Sequence, residues 1–154
     1  MQYGKALKDE NKLREAVFAY RRSIEIQPNG AAYNNLAIAC NLISDKKCAI
    51  DAISKAIQVE PENPLARLNL GLNYFEEGRS KEAEMEFREA IRLMPVFPEA
   101  HKNLALLLLS RTPPEEKEAL NHLELSVKQD PYQEEIVIMK KKIAELRNRL
   151  KTEH

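Results

Sequence analysis

Apolar side chains recur along the chain at spacings of three and four residues, the pattern of α-helices with one buried face. Four prolines, Pro28, Pro61, Pro95 and Pro131, each follow a run of helix-forming residues. They lie 33, 34 and 36 residues apart, and the segments before them are alike: YRRSIEIQP, ISKAIQVEP, FREAIRLMP and LELSVKQDP. The pattern predicts an internal repeat of helical units.

A second set of similar segments, NNLAIAC, LNLGLNY and KNLALLL, lies upstream of those that end in proline. Each unit is therefore predicted to contain two amphipathic helices joined by a short polar turn. Proline ends the second helix because it cannot continue a helix interior. Asn11, Ser44 and Gly78 lie where the turn within a unit needs a capping residue or a positive φ. We expect an all-α protein with nine helices, eight in antiparallel pairs, and no strand.

The proline spacing sets the predicted domain boundaries. Four units are expected at about 1–29 (truncated), 30–63, 64–97 and 98–131, the last with about two extra residues around Thr112. Residues 132–154 are expected to form a final helix and tail. Apolar residues recur there at spacings of three and four, at Ile136, Met139, Ile143, Leu146 and Leu150. A helix with one apolar face can cap the open end of a helical array, and the alternative is a coiled-coil seam of fewer than three heptads.

The repeat pattern resembles the tetratricopeptide repeat family over residues 1–131. The third unit carries the resemblance best, with small and large residues in the family's positions: Leu70, Gly71, Tyr74, Ala83, Phe87, Ala90 and Pro95. The resemblance implies a right-handed solenoid of helical hairpins. It also implies that the first helix of each unit lines a concave groove, where members of this family usually bind their ligand.

The bulk composition narrows the function classes. The chain has 154 residues, with 24 Lys+Arg against 24 Asp+Glu, so a basic surface for nucleic acid is not expected. No apolar run is long enough for a membrane span, and the N-terminus lacks the apolar core of a signal peptide. The two cysteines, Cys40 and Cys48, are expected to be reduced, which favours a cytoplasmic protein.

The sequence shows no motif for catalysis. His101, His122 and His154 do not have the spacing of a metal-binding pair, and His101 is expected to pack in the core. The carboxylates between Glu76 and Glu89 alternate with basic residues, which is typical of a solvated helix face. There is no phosphate-binding glycine loop and no nucleophile motif. We therefore predict a non-enzymatic protein without metal or cofactor.

Three asparagines, Asn35, Asn69 and Asn103, occupy the same position in successive units, 34 residues apart. In a helical array such a series forms a row of amides that can bind the backbone of an extended peptide. The row is similar to that in the superhelix of O-linked N-acetylglucosamine transferase. The alternative is that these amides form only local hydrogen bonds.

The groove positions beyond the asparagines are largely apolar, which favours an apolar or amphipathic partner segment over a charged peptide. The basic side chains that clamp acidic peptides in co-chaperones of this family are mostly absent here. Packing within the array is the alternative role of the apolar residues. The predicted peptide-binding groove comprises Asn35, Ile38, Leu65, Leu68, Asn69, Leu72, Phe75, Asn103, Leu106 and Leu109.

The sequence therefore predicts a protein-interaction module without membrane insertion. Two alternatives stay open. The chain could be the targeting or substrate-recognition arm of a larger enzyme such as a glycosyltransferase, or a structural scaffold that self-associates through the apolar groove.

Overall fold

A computed structural model describes the backbone of residues 2–152 and the side-chain surroundings of residues 11–152. This part of the chain contains eight α-helices and no strand, which confirms the all-α prediction. The helices are α1 (Gln2–Ile26), α2 (Gly30–Leu42), α3 (Lys46–Val59), α4 (Pro64–Glu76), α5 (Ser80–Leu93), α6 (Pro98–Leu109), α7 (Glu116–Gln129) and α8 (Ile136–Thr152).

The prediction of nine helices was wrong because the first unit has no internal turn. The chain passes through Asn11 as part of the single helix α1. An asparagine in a helix interior costs only a fraction of a kcal/mol relative to alanine. No proline precedes Pro28, where the chain can no longer continue as a helix. Asn11 alone was therefore too weak a signal for a turn.

The turns after α2 and α4 follow the prediction. Ser44 has φ 61° and Gly78 has φ 75°, and no other residue among those described has a positive φ. In both turns the N–H of this residue donates to the carbonyl three residues back, at 2.9 and 3.0 Å. The next N–H donates to the carbonyl five residues back, at 2.9 Å in each turn. The same backbone turn therefore occurs twice, 34 residues apart.

The turn after α6 contains the two extra residues that the proline spacing indicated. Its closing hydrogen bond runs from the Glu115 N–H to the Leu108 carbonyl, at 3.1 Å, and spans seven residues instead of five. The longer turn lets α7 begin in the register of the other second helices, because Ala119 and Leu123 are both buried there.

The chain folds into two compact units, residues 1–73 and 74–154. In the first unit, α1 and α3 both pack against α2. Ala37 and Ala49 are almost completely buried, as expected where two helix axes approach closely, and Ile53 fills the adjoining space. In the second unit, α5 and α7 pack against α6, and Ala105 and Ala119 are the small buried residues.

Helix α8 packs against α7 and buries the middle of the predicted apolar stripe, namely Met139, Ile143 and Leu146. Ion pairs from Arg147 to Glu124 and from Arg149 to Glu116, both 2.8 Å, join the two helices at the surface. The Arg147–Glu124 pair is exposed and contributes little, so apolar burial is the main interaction that holds α8 in place. Residues 153 and 154 of the predicted tail lie outside the described residues. The repeat boundaries and the capping role stay predictions.

Candidate peptide-binding surface

Exposure along the first helices identifies one outward-facing stripe on each. On α2 the exposed positions follow a spacing of four, three and four, which places them on one side of a helix. The positions 34 and 68 residues further on give the matching stripes of α4 and α6. We call these sets the outward stripes. They are Ala31, Asn35, Ile38 and Leu42 on α2; Leu65, Asn69, Leu72 and Glu76 on α4; and Glu99, Asn103 and Leu106 on α6 with its C-cap residue Ser110.

Large apolar side chains of the outward stripes are open to solvent. In the first unit, Ile38 is 51% exposed, Leu42 62% and Leu65 55%. In the second unit, Leu106 is 45% exposed. Soluble proteins rarely leave contiguous apolar surface uncovered without a binding role, although single exposed apolar residues are common.

Two predicted groove residues lie on a flank of α4 instead of its outward stripe. A helix turns by about 100° per residue, so Leu68 and Phe75 point about 70–90° away from the middle of the stripe. The expectation for Leu68 was wrong, because its side chain is only 5% exposed. Phe75 and its equivalent Leu109 are half-buried, and so is Leu72 within the stripe. The alternative of packing within the array therefore holds for Leu68.

The three asparagines keep equivalent positions, but their surroundings differ. Asn35 is exposed, whereas Asn69 and Asn103 are half-buried. The Asn103 Nδ2 donates to the Glu99 carbonyl at 2.8 Å, which is the local hydrogen bond that the alternative interpretation anticipated. The carbonyl of Asn69 accepts a similar bond at 2.8 Å from Asn73. Peptide binding by this row stays a prediction.

Leu42 was missed by the sequence analysis. It follows Ile38 by one helical turn and lies at the end of α2. Its equivalents in the other units are the polar residues Glu76 and Ser110, so comparison between units gave no apolar signal there. The spacing of seven from Asn35 was the signal that could have found it.

His101 and His122 form a pair that the sequence analysis did not predict, because they lie 21 residues apart in the sequence. His101 is buried, and its ring stacks on that of His122 with 5.1 Å between the ring centroids. Their Nδ1 atoms lie 2.8 Å apart, and His101 Nε2 lies 3.2 Å from the Pro95 carbonyl. A carbonyl only accepts, so His101 donates from Nε2, and His122 then donates from Nδ1 to His101 Nδ1. The expected core role of His101 fits this burial.

Burial is the main cause that lowers the pKa of His122, and the neighbouring His101 acts in the same direction. Glu118, whose Oε1 lies 3.7 Å from His122 Nε2, opposes the shift. The folded chain therefore favours the neutral form of His122.

Three carboxylates of α5, those of Glu82, Glu84 and Glu89, form ion pairs with arginines. Glu84 contacts Arg88 at 2.8 Å and also pairs with Arg111. Burial acts to raise the pKa of Glu84, but the hydrogen bonds from both arginines outweigh it and hold the pKa below its ordinary value. An ionised, paired carboxylate is a structural element and a poor general acid.

The expectation of two reduced cysteines was wrong. Cys40 in the last turn of α2 and Cys48 in the first turn of α3 form a disulfide, with 5.8 Å between their Cα atoms. The tight turn at Ser44 brings the two helix ends together, which spacing along the sequence does not reveal.

Among the described residues, no three His, Cys, Asp or Glu side chains form a group that could hold a metal ion. The same part of the chain contains no helix with the length and hydropathy needed to cross a bilayer.

Comparison with known proteins gives one recurrent family. A family model for the tetratricopeptide repeat matches residues 1–29 and 65–96. Human tetratricopeptide repeat protein 13 is 27% identical over 103 residues, which is 67% of this chain and 12% of the relative. The probable N-acetylglucosaminyltransferase SPINDLY of Solanum lycopersicum is 27% identical over 107 residues, 69% of this chain and 12% of the relative. The chain thus spans about an eighth of the length of these relatives.

Solved structures show the same fold. The first such repeat domain of Spaghetti (RPAP3), bound to the HSP90 peptide SRMEEVD, superposes with a TM-score of 0.69 at 17% identity, covering 79% of this chain and 92% of that one. PilF of Pseudomonas aeruginosa gives 0.77 at 23% identity, covering 98% and 67%. YrrB, described as having an unusual peptide-binding site, gives 0.72 at 19% identity, covering 90% and 71%.

Proposed function

The chain belongs to the tetratricopeptide repeat family, and we propose from that premise that it is a protein-interaction module whose outward stripes bind an apolar or amphipathic peptide segment. The observation that carries the proposal is the exposure of large apolar side chains on the first helices. Ile38 and Leu42 lie one turn apart on α2, and Leu106 occupies the same position as Ile38 on α6.

The chemistry of the stripes favours an apolar ligand over an acidic one. Glu76 and Glu99 are the charged members of the stripes, and both are carboxylates. A peptide rich in carboxylates, such as the one bound to the Spaghetti repeat domain, would meet like charge here. An amphipathic helix instead presents apolar side chains at spacings of three and four, which match Ile38 and Leu42.

A display experiment tests this proposal. A phage library of random peptides is selected on the immobilised full chain, and enriched peptides are synthesised with a fluorescent label for titration. We expect enriched sequences with apolar residues at spacings of three and four. Ile38→Ser should weaken their binding by about 1–3 kcal/mol, the usual loss when a central anchor is removed.

The matched control is Val59→Ser, because Val59 is 47% exposed, close to the 51% of Ile38, but lies on the second helix α3. It should leave the affinity within about twofold, since rim or remote residues contribute little. Equal losses for the two variants, or enrichment of acidic peptides without apolar spacing, would contradict the proposal.

A second candidate function is the substrate-recognition arm of a larger glycosyltransferase. The similarity to SPINDLY supports it, although that similarity covers 12% of the relative. Sequencing the full transcript decides between the two: a transferase domain encoded in frame before residue 1 or after residue 154 supports the arm, and a full transcript without such a domain contradicts it.

Self-association through the apolar stripes is a third possible use of the same surface. Light scattering over a range of concentrations tests it, because a stable dimer would double the mass of the 154-residue chain. A cytoplasmic location stays a prediction, and the Cys40–Cys48 disulfide weighs against it because disulfides persist mainly in oxidising compartments.

A further inference from the structure

The two sulfurs of the Cys40–Cys48 disulfide have unlike surroundings. Cys40 is completely buried in α2, between the helices of the first unit. Cys48 is only half-buried and lines a surface pocket. A nucleophile from solvent therefore reaches the sulfur of Cys48 and not that of Cys40.

The pocket at Cys48 lies among α1, α2 and α3 and has a volume of about 320 Å³, at the small end of the range for ligand sites. Its charged lining consists of two cations and two carboxylates, with an aromatic ring beside them. A small molecule that carries both an ammonium group and carboxylates could therefore pair with both signs of charge. The charged and aromatic lining residues are Arg21, Lys55, Glu25, Asp51 and Tyr33, and Cys48 and three apolar residues complete the lining.

One feature stabilises negative charge on the sulfur of Cys48. Arg21 Nη2 donates to Cys48 Sγ at 3.6 Å. The N–H of Cys48, in the first turn of α3, is already bonded at 3.0 Å to the side chain of the N-cap residue Asp45, so the helix end adds little to this stabilisation. A neighbouring cation favours a thiolate over a thiol.

We propose that Cys48 is a thiol–disulfide exchange site for a low-molecular-weight zwitterionic thiol. In the first step the thiolate of that small molecule attacks Cys48 Sγ and forms a mixed disulfide. The Cys40–Cys48 bond breaks, and its electron pair goes to Cys40 Sγ, which takes up one proton, equal to the one that the small thiol lost when it ionised.

A second molecule of the same thiol completes the reduction. It attacks the small-molecule sulfur of the mixed disulfide, and the electron pair leaves on Cys48 as the thiolate beside Arg21. One protein disulfide and two small thiols thus give a protein dithiol and one small-molecule disulfide. In the reverse direction Cys40 displaces the small thiol from Cys48 and restores the bond, so the mixed disulfide is short-lived while Cys40 is present.

The first test compares the two thiols in the reduced wild-type chain. The protein is treated with iodoacetamide under native conditions, and peptide mass spectrometry records which cysteine is alkylated. Cys48 should react at least about tenfold faster than Cys40, given its exposure and its neighbouring cation. Equal rates, or faster alkylation of Cys40, would overturn the proposal.

The second test uses Cys40→Ser, which removes the thiol that resolves the mixed disulfide. Treatment with glutathione disulfide should convert Cys48 completely to the mixed disulfide with glutathione. The reaction should be faster than with cystamine, which is cationic, or with hydroxyethyl disulfide, which is neutral. If either of these reacts as fast, the pocket does not select a zwitterion and the proposed ligand class is wrong.

A matched pair of arginines tests the role of the cation. Arg21→Gln should slow the reaction of Cys48 by about three- to tenfold at neutral pH, as expected when one nearby charge is lost. Arg92→Gln should leave the rate within about twofold, because Arg92 lies on α5 of the other unit and pairs with Glu89 at 2.8 Å, and neither residue lines the pocket. Equal effects of the two substitutions would contradict the assignment of Arg21.

Discussion

In the first unit a disulfide joins the ends of α2 and α3, whereas in the second unit stacked histidines join the bodies of α6 and α7. Both hairpins share small buried residues at the helix contact, Ala37 and Ala49 in one and Ala105 and Ala119 in the other. The shared residues set the helix packing, and the cross-link is a local addition. Equivalent repeats with equivalent packing can therefore respond to different conditions, the first hairpin to reductant and the second to acid.

The largest expected loss of stability comes from substitutions of buried side chains at positions that the two hairpins share. Ile53→Ala in α3 and Leu123→Ala in α7 each remove a buried side chain from an equivalent position. We expect each to lower the free energy of unfolding by about 2–5 kcal/mol, measured by native-state hydrogen exchange of the affected hairpin. Ile53→Val is the control and should cost only about 0.5–1.5 kcal/mol. A loss below that range for either alanine variant would show that the two positions are not equivalent.

Reduction of the disulfide should destabilise the α2–α3 hairpin and leave the stability of the α6–α7 hairpin unchanged. The bond closes a loop with a sequence separation of eight, so its removal should cost about 2.5 kcal/mol through the entropy of the unfolded chain. Hydrogen exchange with and without dithiothreitol should show lost protection in α2 and α3. Protection in α6 and α7 should stay unchanged, and an equal loss there would contradict the local role of the cross-link.

A fall in pH should lower the stability of the α6–α7 hairpin. The folded pKa of His122 lies below its ordinary value, so the unfolded chain binds more protons near pH 6. Stability from this group is therefore present above about pH 6.5 and is lost as the pH falls below it. The melting temperature should fall between pH 7.5 and 5.5.

His122→Asn is the matched variant, because its amide can still donate from near the position of Nδ1 and does not titrate. It should reduce the fall in melting temperature over that range. If the variant and the wild type lose the same amount, the histidine pair does not cause the acid sensitivity.

The smallest effect on stability is expected at the surface. Leu106 on α6 and Leu125 on α7 are 45% and 39% exposed. Leu106→Ser and Leu125→Ser should each change the free energy of unfolding by less than about 0.5 kcal/mol, as is usual for exposed positions. A urea titration of both variants measures this. A loss of several kcal/mol for Leu106→Ser would assign that residue to the core.

Local signals predicted most of the fold. Proline spacing and apolar periodicity gave the helical hairpins, and the backbone needs of a tight turn identified Ser44 and Gly78, both with positive φ. The same reasoning failed at Asn11, where no second helix-breaking signal supported a turn. A turn thus follows from sequence when several local preferences agree.

The candidate surface was only partly predictable. The 34-residue register placed Ile38 and Leu106 correctly on the outward side of their helices. The register could not show that Leu68 is buried, because the burial of a residue on the flank of a helix depends on which other helix packs against that flank. The Cys40–Cys48 and His101–His122 contacts likewise depend on how two helices meet, which residue spacing alone does not specify.

The most direct test of the interaction surface is an NMR titration of the isotope-labelled chain with a peptide enriched in the display selection. We expect the shifted amide signals to cluster on first helices within the first unit, around Ile38 on α2 and Leu65 on α4. Substitution of Ile38 by Ser should remove the shifts around it. Shifts confined to the second helices α3, α5 and α7, with the first helices unperturbed, would contradict peptide binding by the outward stripes.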